Sequence, residues 1–396
     1  MVGNGSLIWD LGLYWPWGST TDNWRCRGDL AAMGRPAPTE GLLMQIPRPS
    51  VSRVLAVFAV LILLSTACTG DDEAEETTST SSERPAPTEA ATTTVAETTT
   101  TTTEPPPART VDELLALGRP VNLSHAGGDQ SFPHSTMFAF REGRLAGADA
   151  LEMDVQLTGD GVLIVQHDAT VDKTTNSTGP VADLTLEDIQ ALDNAYWFSP
   201  KCWRCADLSE DDYIYRGVRT GDLPPPDGYG ADDFRVETFR SVAEAFPDLV
   251  LDIEIKGEYP DALPVVEELA AEIDELDRTD SVVVVSFDDE LLDAFHELAP
   301  DVVLSPGRTR LTEWFLAGVE LEPYFEILQV PPFEGEIEVV NPETVQRVHD
   351  EGRFVWVWAD DASTQENAEF YRLMLDDGVD GIIAGRPAAM TEALEG

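Results

Sequence analysis

The stretch that decides the fold runs from Asn122 to Asp168 and reads NLSHAGGDQSFPHSTMFAFREGRLAGADALEMDVQLTGDGVLIVQHD. Two closely spaced carboxylates, Glu152 and Asp154, lie in a segment that alternates polar and apolar residues. In a β-strand, residues i and i+2 point to the same side. We therefore expect these two carboxylates to project together from one face of a strand. The opposite face would then carry three apolar side chains, those of Leu151, Met153 and Val155.

Two histidines follow apolar runs on either side of this strand. His125 comes directly after Val121–Ser124, and His167 comes shortly after Val162–Val165. Each histidine alone is more simply a surface residue, but the whole chain has only 5 His. Histidines and carboxylates at strand ends are the side chains that a barrel enzyme gathers at the carboxyl-terminal face of its sheet. Taken as a set, they predict a catalytic site.

The segment 111–396 alternates between strand and helix patterns. Apolar or β-branched runs predict strands at nine places, and helical patterns separate most of them. Strands that alternate with helices predict a parallel sheet, and about eight such units predict an α/β fold of the (β/α)8, or TIM, barrel class. Nine candidates are one too many for that barrel, so one of them is an additional strand or a hairpin arm.

The opening stretch resembles the glycerophosphodiester phosphodiesterase family, whose pattern runs roughly H-R-G, P-E-N-T, E-x-D-V, T-x-D-G and H-D. The corresponding segments here have the same order and spacing, and they are His125–Gly127, Pro133–Thr136, Glu152–Val155, Thr158–Gly161 and His167–Asp168. The resemblance implies a TIM barrel that hydrolyses glycerophosphodiesters to glycerol 3-phosphate and an alcohol. It also suggests a bacterial lipoprotein form of that enzyme.

Five positions match residues to which the family gives direct roles. The resemblance implies His125 and His167 as the catalytic pair, and it implies three metal ligands, namely Glu152, Asp154 and Glu254. Lys256 matches a position that faces the substrate, and Trp358 matches an aromatic position near the site. Lys256 could equally form an ion pair with a neighbouring carboxylate of its strand, and Trp358 could equally be part of the core.

The residue types fit that chemistry on independent grounds. Three carboxylates without a Cys or His cluster suit a hard cation, Mg²⁺ or Ca²⁺, which would neutralise the phosphodiester and orient it for in-line displacement. Cleavage also requires one group to take a proton from the nucleophile and another to give one to the leaving alkoxide, and imidazoles do both near neutral pH. We assign His125 as base and His167 as acid, although the reverse assignment is nearly as well supported.

Three departures from the family pattern bear on activity. Ala126 stands where the family has a phosphate-contacting Arg, and His134 stands where it has Glu. The segment Ile383–Pro387 reads I-A-G-R-P in place of I-T-D-x-P. Losing a charge-assisted hydrogen bond to phosphate costs roughly 1.5–3 kcal/mol. Lys173 or Arg386 could compensate from other loops, or the substrate could carry a different headgroup.

The chain has 396 residues and a formal net charge of −49. Such an acidic chain repels nucleic acid and anionic lipid headgroups, so we expect no nucleic-acid partner. The hydrophobic share of 42% is enough for one large core. A small-molecule substrate is therefore the more natural partner.

The first 110 residues predict export rather than a folded domain. Residues 1–43 show no periodicity and suggest an overcalled extension. Residues 44–68 resemble a lipoprotein signal peptide, with a basic start, the apolar run Val54–Leu64 and Cys68 as the residue to be lipidated. The segment 69–110, rich in Thr, Ser, Glu and Pro, predicts a disordered tether. We expect an extracytoplasmic protein held at the membrane by a lipid; a genuine signal anchor is the alternative.

A long insertion, 196–234, interrupts the barrel pattern with Pro, Gly, Asp and aromatic residues. Its pair Cys202 and Cys205 could be a redox motif, half of a zinc site or a disulfide. Because an exported protein folds in an oxidising compartment, a structural disulfide is favoured. Its aromatic residues could grip an acyl chain or could form a small core of their own.

Two further functions therefore stay open at this stage. The first is a phospholipase D-type or sphingomyelinase D-like activity on lysophospholipids, carried by the same barrel. The second is a non-catalytic envelope lipoprotein that binds a ligand, which Ala126 and His134 would favour.

Overall fold

The computed structural model describes residues 108–202 and 205–396. Its strands are β1 Val121–Ser124, β2 Ala150–Leu157, β3 Leu163–Val165, β4 Val250–Ile255, β5 Val282–Val285, β6 Val303–Leu304, β7 Ile327–Val330, β8 Phe333–Glu334, β9 Ile337–Glu338, β10 Phe354–Trp358 and β11 Gly381–Ala384. Its α-helices are α1 Val111–Leu115, α2 Met137–Leu145, α3 Leu186–Gln190, α4 Phe239–Ala245, α5 Leu263–Glu275, α6 Asp289–Leu298, α7 Arg308–Ala317, α8 Pro342–Asp350, α9 Ala362–Gln365, α10 Ala368–Asp376 and α11 Pro387–Glu395.

Eight parallel strands form the barrel in chain order. Strands β1, β2, β4, β5 and β6 pair in succession, and β7, β10 and β11 lead back to β1. The remaining gap, between β6 and β7, is bridged by the parallel contact of Leu304 with Phe325. The Ser305 hydroxyl also accepts a hydrogen bond from the backbone N–H of Gln329 at 3.2 Å. The predicted TIM barrel is confirmed.

The ninth strand candidate is a hairpin arm. Strand β3 pairs antiparallel with β2, with Val165 opposite Val155, and lies outside the barrel order. Because β3 runs back along β2, it returns the chain from Leu157 to the level of Asp154. There the Asp154 carbonyl accepts a hydrogen bond from the Gln166 backbone N–H at 2.9 Å. Strands β8 and β9 form a second small hairpin, which the sequence patterns did not indicate.

The core has two layers, separated by the sheet. Inside the barrel, small and β-branched residues such as Val121, Ala150 and Val250 surround the fully buried Trp356. Outside it, Leu151, Met153 and Val155 pack among the helices. The two faces of β2 are therefore divided as the period-2 pattern predicts, with Glu152 and Asp154 directed to the interior side.

Helix α1 lies at the amino-terminal end of the barrel. Its Val111 N–H donates to the Asp280 carbonyl, next to the start of β5, and Leu114 packs with the interior cluster. Residues 108–110, which the sequence assigned to the tether, take part in this contact: Ala108 is buried and Arg109 pairs with Asp248. The predicted extension, the signal peptide with Cys68, and the rest of the tether lie outside the described residues.

The insertion consists of turns around an aromatic core of its own. The Arg216 guanidinium lies 3.8–4.7 Å from the ring centroids of Tyr196, Trp197 and Tyr213. Phe138 of α2 anchors the insertion through rings 4.6–5.1 Å away, those of Tyr215, Tyr229 and Phe234. A disulfide joins Cys202 and Cys205. In the part of the chain that the structure describes, no helix is long and apolar enough to span a membrane.

Candidate active site

His125, the first of the two predicted catalytic histidines, lies on a tight turn that follows β1. In the turn His125–Gly127 the backbone of Ala126 takes a left-handed conformation, with φ 45°. Gly127 is required there because a Cβ would lie 2.7 Å from the Cβ of Ala139 in α2. The turn directs the Ala126 N–H at Glu152, whose Oε2 accepts it at 2.7 Å. The side chain of Ala126 is fully buried and apolar, so Ala126 contributes to the site through its backbone N–H, which donates to Glu152.

The acidic cluster lies on the neighbouring strands β2 and β4. Their register places Asp154 beside Glu254. The Lys256 Nζ lies between these two carboxylates, 2.9 Å from Asp154 Oδ1 and 2.7 Å from Glu254 Oε1. The ion pair that was one alternative for Lys256 is therefore present.

The charges of the cluster shift one another's proton affinities. Burial alone would raise the pKa of Asp154, but the Lys256 ammonium and the His167 imidazole outweigh it and hold that pKa below its ordinary value. Burial alone would lower the pKa of Lys256, but the two carboxylates raise it. Burial raises the pKa of Glu152 well above its usual range, against the opposing charge of His125.

The donor set suits a hard cation, but it is not pre-arranged as a cage. Glu152, Asp154 and Glu254 supply only carboxylate oxygens, and the buried Asp154 Oδ2 has no hydrogen-bond partner. Within residues 108–202 and 205–396, however, no three His, Cys, Asp or Glu side chains surround a common point as ligands do. The expected convergence is therefore not observed. In this arrangement the Lys256 ammonium contacts two of the three carboxylates and balances part of their charge.

Each of the two predicted catalytic histidines has a carboxylate at its Nδ1. The Nδ1 of His167 lies 2.8 Å from Asp168 Oδ1, and the other oxygen of Asp168 is 3.1 Å from the Lys173 ammonium. The Nδ1 of His125 lies 3.1 Å from Oδ1 of the buried Asp129. Lys173, one of the two predicted compensating cations, therefore lies at the site.

The electrostatic setting of His125 favours its charged form. Burial alone would lower the pKa of His125, but the carboxylates of Asp129 and Glu152 outweigh it and raise that pKa to about 10. The Nε2 of His125 lies 3.9 Å from Glu152 Oε2, so this nitrogen faces the acidic cluster.

A third imidazole lies between the two. The ring of His134 is edge-on to both, with centroids 6.4 Å from His125 and 6.0 Å from His167. Its Nδ1 is 2.7 Å from the Ser135 hydroxyl, and its carbonyl accepts from Asn194 at 3.0 Å. The departure from the family at this position therefore puts an imidazole, instead of a carboxylate, at the centre of the site.

A cavity of about 380 Å³ opens beside His167 at the carboxyl-terminal end of the barrel. Its lining includes Glu254, Lys256, Ser286 and Phe287. Trp358, at the end of β10, packs edge-on against the Phe287 ring at 6.0 Å and so flanks this space. The volume is within the usual range for small-molecule sites.

Sequence reasoning missed two of the groups that support the site. Asp129 stands four residues after His125 in a Gly-rich loop, and nothing in its spacing marks it as a partner. Phe287 lies two residues after the end of β5, and nothing in the sequence marks it as part of a site, yet it is 48% exposed and lines the cavity. Asp168 was quoted within a motif without a role, although its adjacency to His167 was a usable signal.

Imidazoles, carboxylates and one ammonium lie on or just after β1, β2, β3 and β4 at the carboxyl-terminal end of the barrel, which is where a TIM-barrel enzyme carries its active site. The family model described as glycerophosphoryl diester phosphodiesterase matches residues 125–389. The chain belongs to that family, and it is a phosphoric diester hydrolase of the glycerophosphodiester phosphodiesterase class. Members of this family generally depend on a divalent cation.

Individual relatives cover nearly the same segment. A glycerophosphodiester phosphodiesterase of Caldanaerobacter subterraneus subsp. tengcongensis is 30% identical over 269 residues, which is 68% of this chain and 95% of the relative. One from Bacillus subtilis is 26% identical over 288 residues, covering 71% of this chain and 88% of the relative. A phosphodiesterase of Oleispira antarctica, solved with the product sn-glycerol-3-phosphate, aligns over 70% of this chain and 98% of its own at 17% identity and a TM-score of 0.50.

Proposed function

We propose that this protein hydrolyses glycerophosphodiesters to sn-glycerol 3-phosphate and an alcohol, with His125 and His167 as its acid–base pair. The observation that carries the proposal is the placement of two carboxylate-supported imidazoles around one acidic cluster at a single barrel end. The product bound to the Oleispira antarctica relative agrees with this substrate class.

The two imidazoles supply the proton transfers of the reaction. One takes a proton from the nucleophile, which is water or a hydroxyl of the substrate, and the other protonates the departing alkoxide. Because a carboxylate lies at each Nδ1, the Nε2 atoms are the ones that are free to exchange protons with substrate. Lys256 and Lys173 supply positive charge near the phosphodiester, in place of the arginine that Ala126 replaces.

We propose Glu152, Asp154 and Glu254 as the residues that would hold Mg²⁺ or Ca²⁺. The bound cation would neutralise non-bridging oxygens of the phosphodiester. For these carboxylates to accept a cation, the Lys256 ammonium has to leave the position between Asp154 and Glu254. Lys256 is then released to face the substrate, which is the role that the resemblance gives it.

The proposal is tested by turnover of glycerophosphocholine, glycerophosphoethanolamine and glycerophosphoglycerol, with and without chelator. We expect activity that chelator removes and that His125→Gln and His167→Gln each lower by at least about 100-fold. His349→Gln is the matched control, because His349 also pairs with an aspartate, Asp380, but at the opposite barrel end. Full activity in either catalytic-histidine variant, or in chelator, would contradict the mechanism.

A lysophospholipid substrate is the second candidate, but the insertion gives it little support. The aromatic side chains that could have gripped an acyl chain contact one another: Phe198 stacks on Tyr215, and Tyr213 is buried beneath Arg216. Parallel assays of glycerophosphocholine and lysophosphatidylcholine separate the two substrates, since release of lysophosphatidate or its cyclic form would mark the lipid activity.

We also propose that the protein is an extracytoplasmic lipoprotein, with Cys68 as the lipidated residue. The support is the basic start and apolar run that precede Cys68. Fractionation of cells expressing the full chain and its Cys68→Ser variant tests this. We expect the protein in the membrane fraction and the variant outside it; an unlipidated parent chain would refute the assignment.

A further inference from the structure

The loop after β1 and the end of β11 meet behind His125. The backbone N–H of Gln130 donates to the Gly385 carbonyl at 3.0 Å, which fixes the loop against the last strand of the barrel. Next to this contact, the buried carboxylate of Asp129 lies with one oxygen 3.1 Å from the His125 Nδ1. The other oxygen of Asp129 accepts from the Gln130 side-chain amide at 3.1 Å.

Gly385 provides the space that the Asp129 carboxylate occupies. A Cβ at position 385 would lie 2.5 Å from Asp129 Oδ1 and 3.0 Å from the carboxyl carbon of Glu366. Real Cβ atoms do not approach other atoms this closely, so any side chain here would displace Asp129. A carboxylate at 385 and one at 129 would therefore compete for one place beside His125.

The surroundings keep Asp129 as the charged member of this group. Glu366 accepts from the Gly385 N–H at 2.8 Å and from the Tyr371 hydroxyl. Burial raises the pKa of Glu366 to about 7. Burial alone would raise the pKa of Asp129 as well, but the His125 imidazole outweighs it and lowers that pKa.

We propose that Asp129 is the positioning residue of His125 in this protein, and that it occupies a place which a side chain at position 385 would otherwise fill. Asp129 fixes the ring so that its Nε2 faces the acidic cluster and the substrate. This inference rests on the proposed function only for its kinetic readout. The 3.1 Å separation of the His125 Nδ1 and Asp129 Oδ1 atoms is within hydrogen-bond distance.

The kinetic test exchanges the carboxylate between the two positions in the full chain, with glycerophosphocholine as substrate. Asp129→Asn and Asp129→Ala should each lower kcat by about 10- to 100-fold with little change in KM. Gly385→Asp alone should also lower kcat, because it crowds a second carboxylate against Asp129. The double variant Asp129→Ala/Gly385→Asp should recover at least tenfold over Asp129→Ala. Asp380→Asn, which removes the remote aspartate of His349, should leave kcat unchanged.

A second readout does not depend on turnover. The Nδ1 proton of His125 should give a downfield, hydrogen-bonded ¹H resonance in the parent protein and the double variant, and Asp129→Ala should lose it; His125→Gln assigns the signal. Retention of that resonance in Asp129→Ala would overturn the proposal. So would a parental kcat in Asp129→Asn, or a kcat of the double variant that is no higher than that of Asp129→Ala. If no glycerophosphodiester is turned over, the resonance still decides whether Asp129 supports His125.

Discussion

The Lys256 ammonium lies where a cation is expected to bind. Replacing Lys256 with methionine separates two roles of the acidic cluster, which are to stabilise the fold by pairing with this ammonium and to bind a divalent cation. Its ammonium contacts Asp154 at 2.9 Å and Glu254 at 2.7 Å, and its side chain is only 15% exposed. Each contact is worth about 6 kcal/mol of Coulomb energy at an effective dielectric constant of 20, before the cost of desolvating the charges. Removing one member of such a buried group typically costs about 3–5 kcal/mol, because the remaining charges lose their partner.

In chelator, Lys256→Met should therefore lower the melting temperature by on the order of 10 °C. Added Mg²⁺ or Ca²⁺ should then stabilise the variant more than the parent protein, since the cation no longer competes with an ammonium. Thermal unfolding followed by circular dichroism, at constant ionic strength, measures both effects. Lys201→Met is the control, because Lys201 pairs with Asp212 at the exposed surface and should shift melting little.

Two results would refute this reasoning. A variant that melts within about 2 °C of the parent in chelator would mean that the ammonium contributes no net stability. A divalent cation that stabilises the parent as strongly as the variant would mean that Lys256 and the cation do not compete for Asp154 and Glu254.

Two further predictions concern buried charges, one inside the barrel next to the acidic cluster and one remote from it. Burial raises the pKa of Asp252 to about 7, although Gln329 donates a hydrogen bond to it at 2.8 Å. A folded-state pKa above the unfolded value of 3.8 means that the folded protein binds the extra proton, so the contribution of Asp252 to stability is fully present below about pH 4 and falls by up to about 4 kcal/mol as pH rises to 7. Asp252→Asn should remove this decline, as measured by urea unfolding in chelator between pH 4 and 8, and an unchanged pH slope would contradict it. Arg278 donates to the Ser281 hydroxyl and to the carbonyls of Ala243, Phe246 and Leu249. Arg278→Met should lower the free energy of unfolding by about 3–5 kcal/mol while leaving kcat of the folded fraction unchanged, and a variant with parental stability would show these contacts to be energetically neutral.

The candidate site was predictable wherever it depends on local geometry. The alternation around Glu152 and Asp154 placed both side chains inside the barrel, since successive strand residues point to opposite faces. The position of His125 after a short strand was equally visible. By contrast, the sequence left two interpretations of the aromatic residues in the insertion 196–234. Their contacts with Arg216 show that they form a small core of their own.

The sequence by itself determined the eight barrel strands and β3, their buried faces and the order in which the candidate catalytic groups follow them, because these properties arise from the period of the backbone and from nearest neighbours along the chain. The tertiary structure alone decided that β3 folds back as a hairpin arm and that an ammonium separates Asp154 from Glu254. It alone brought Asp129 against Gly385 behind His125. Such approaches join residues far apart in the chain, and they depend on closure of the barrel, which no local pattern encodes.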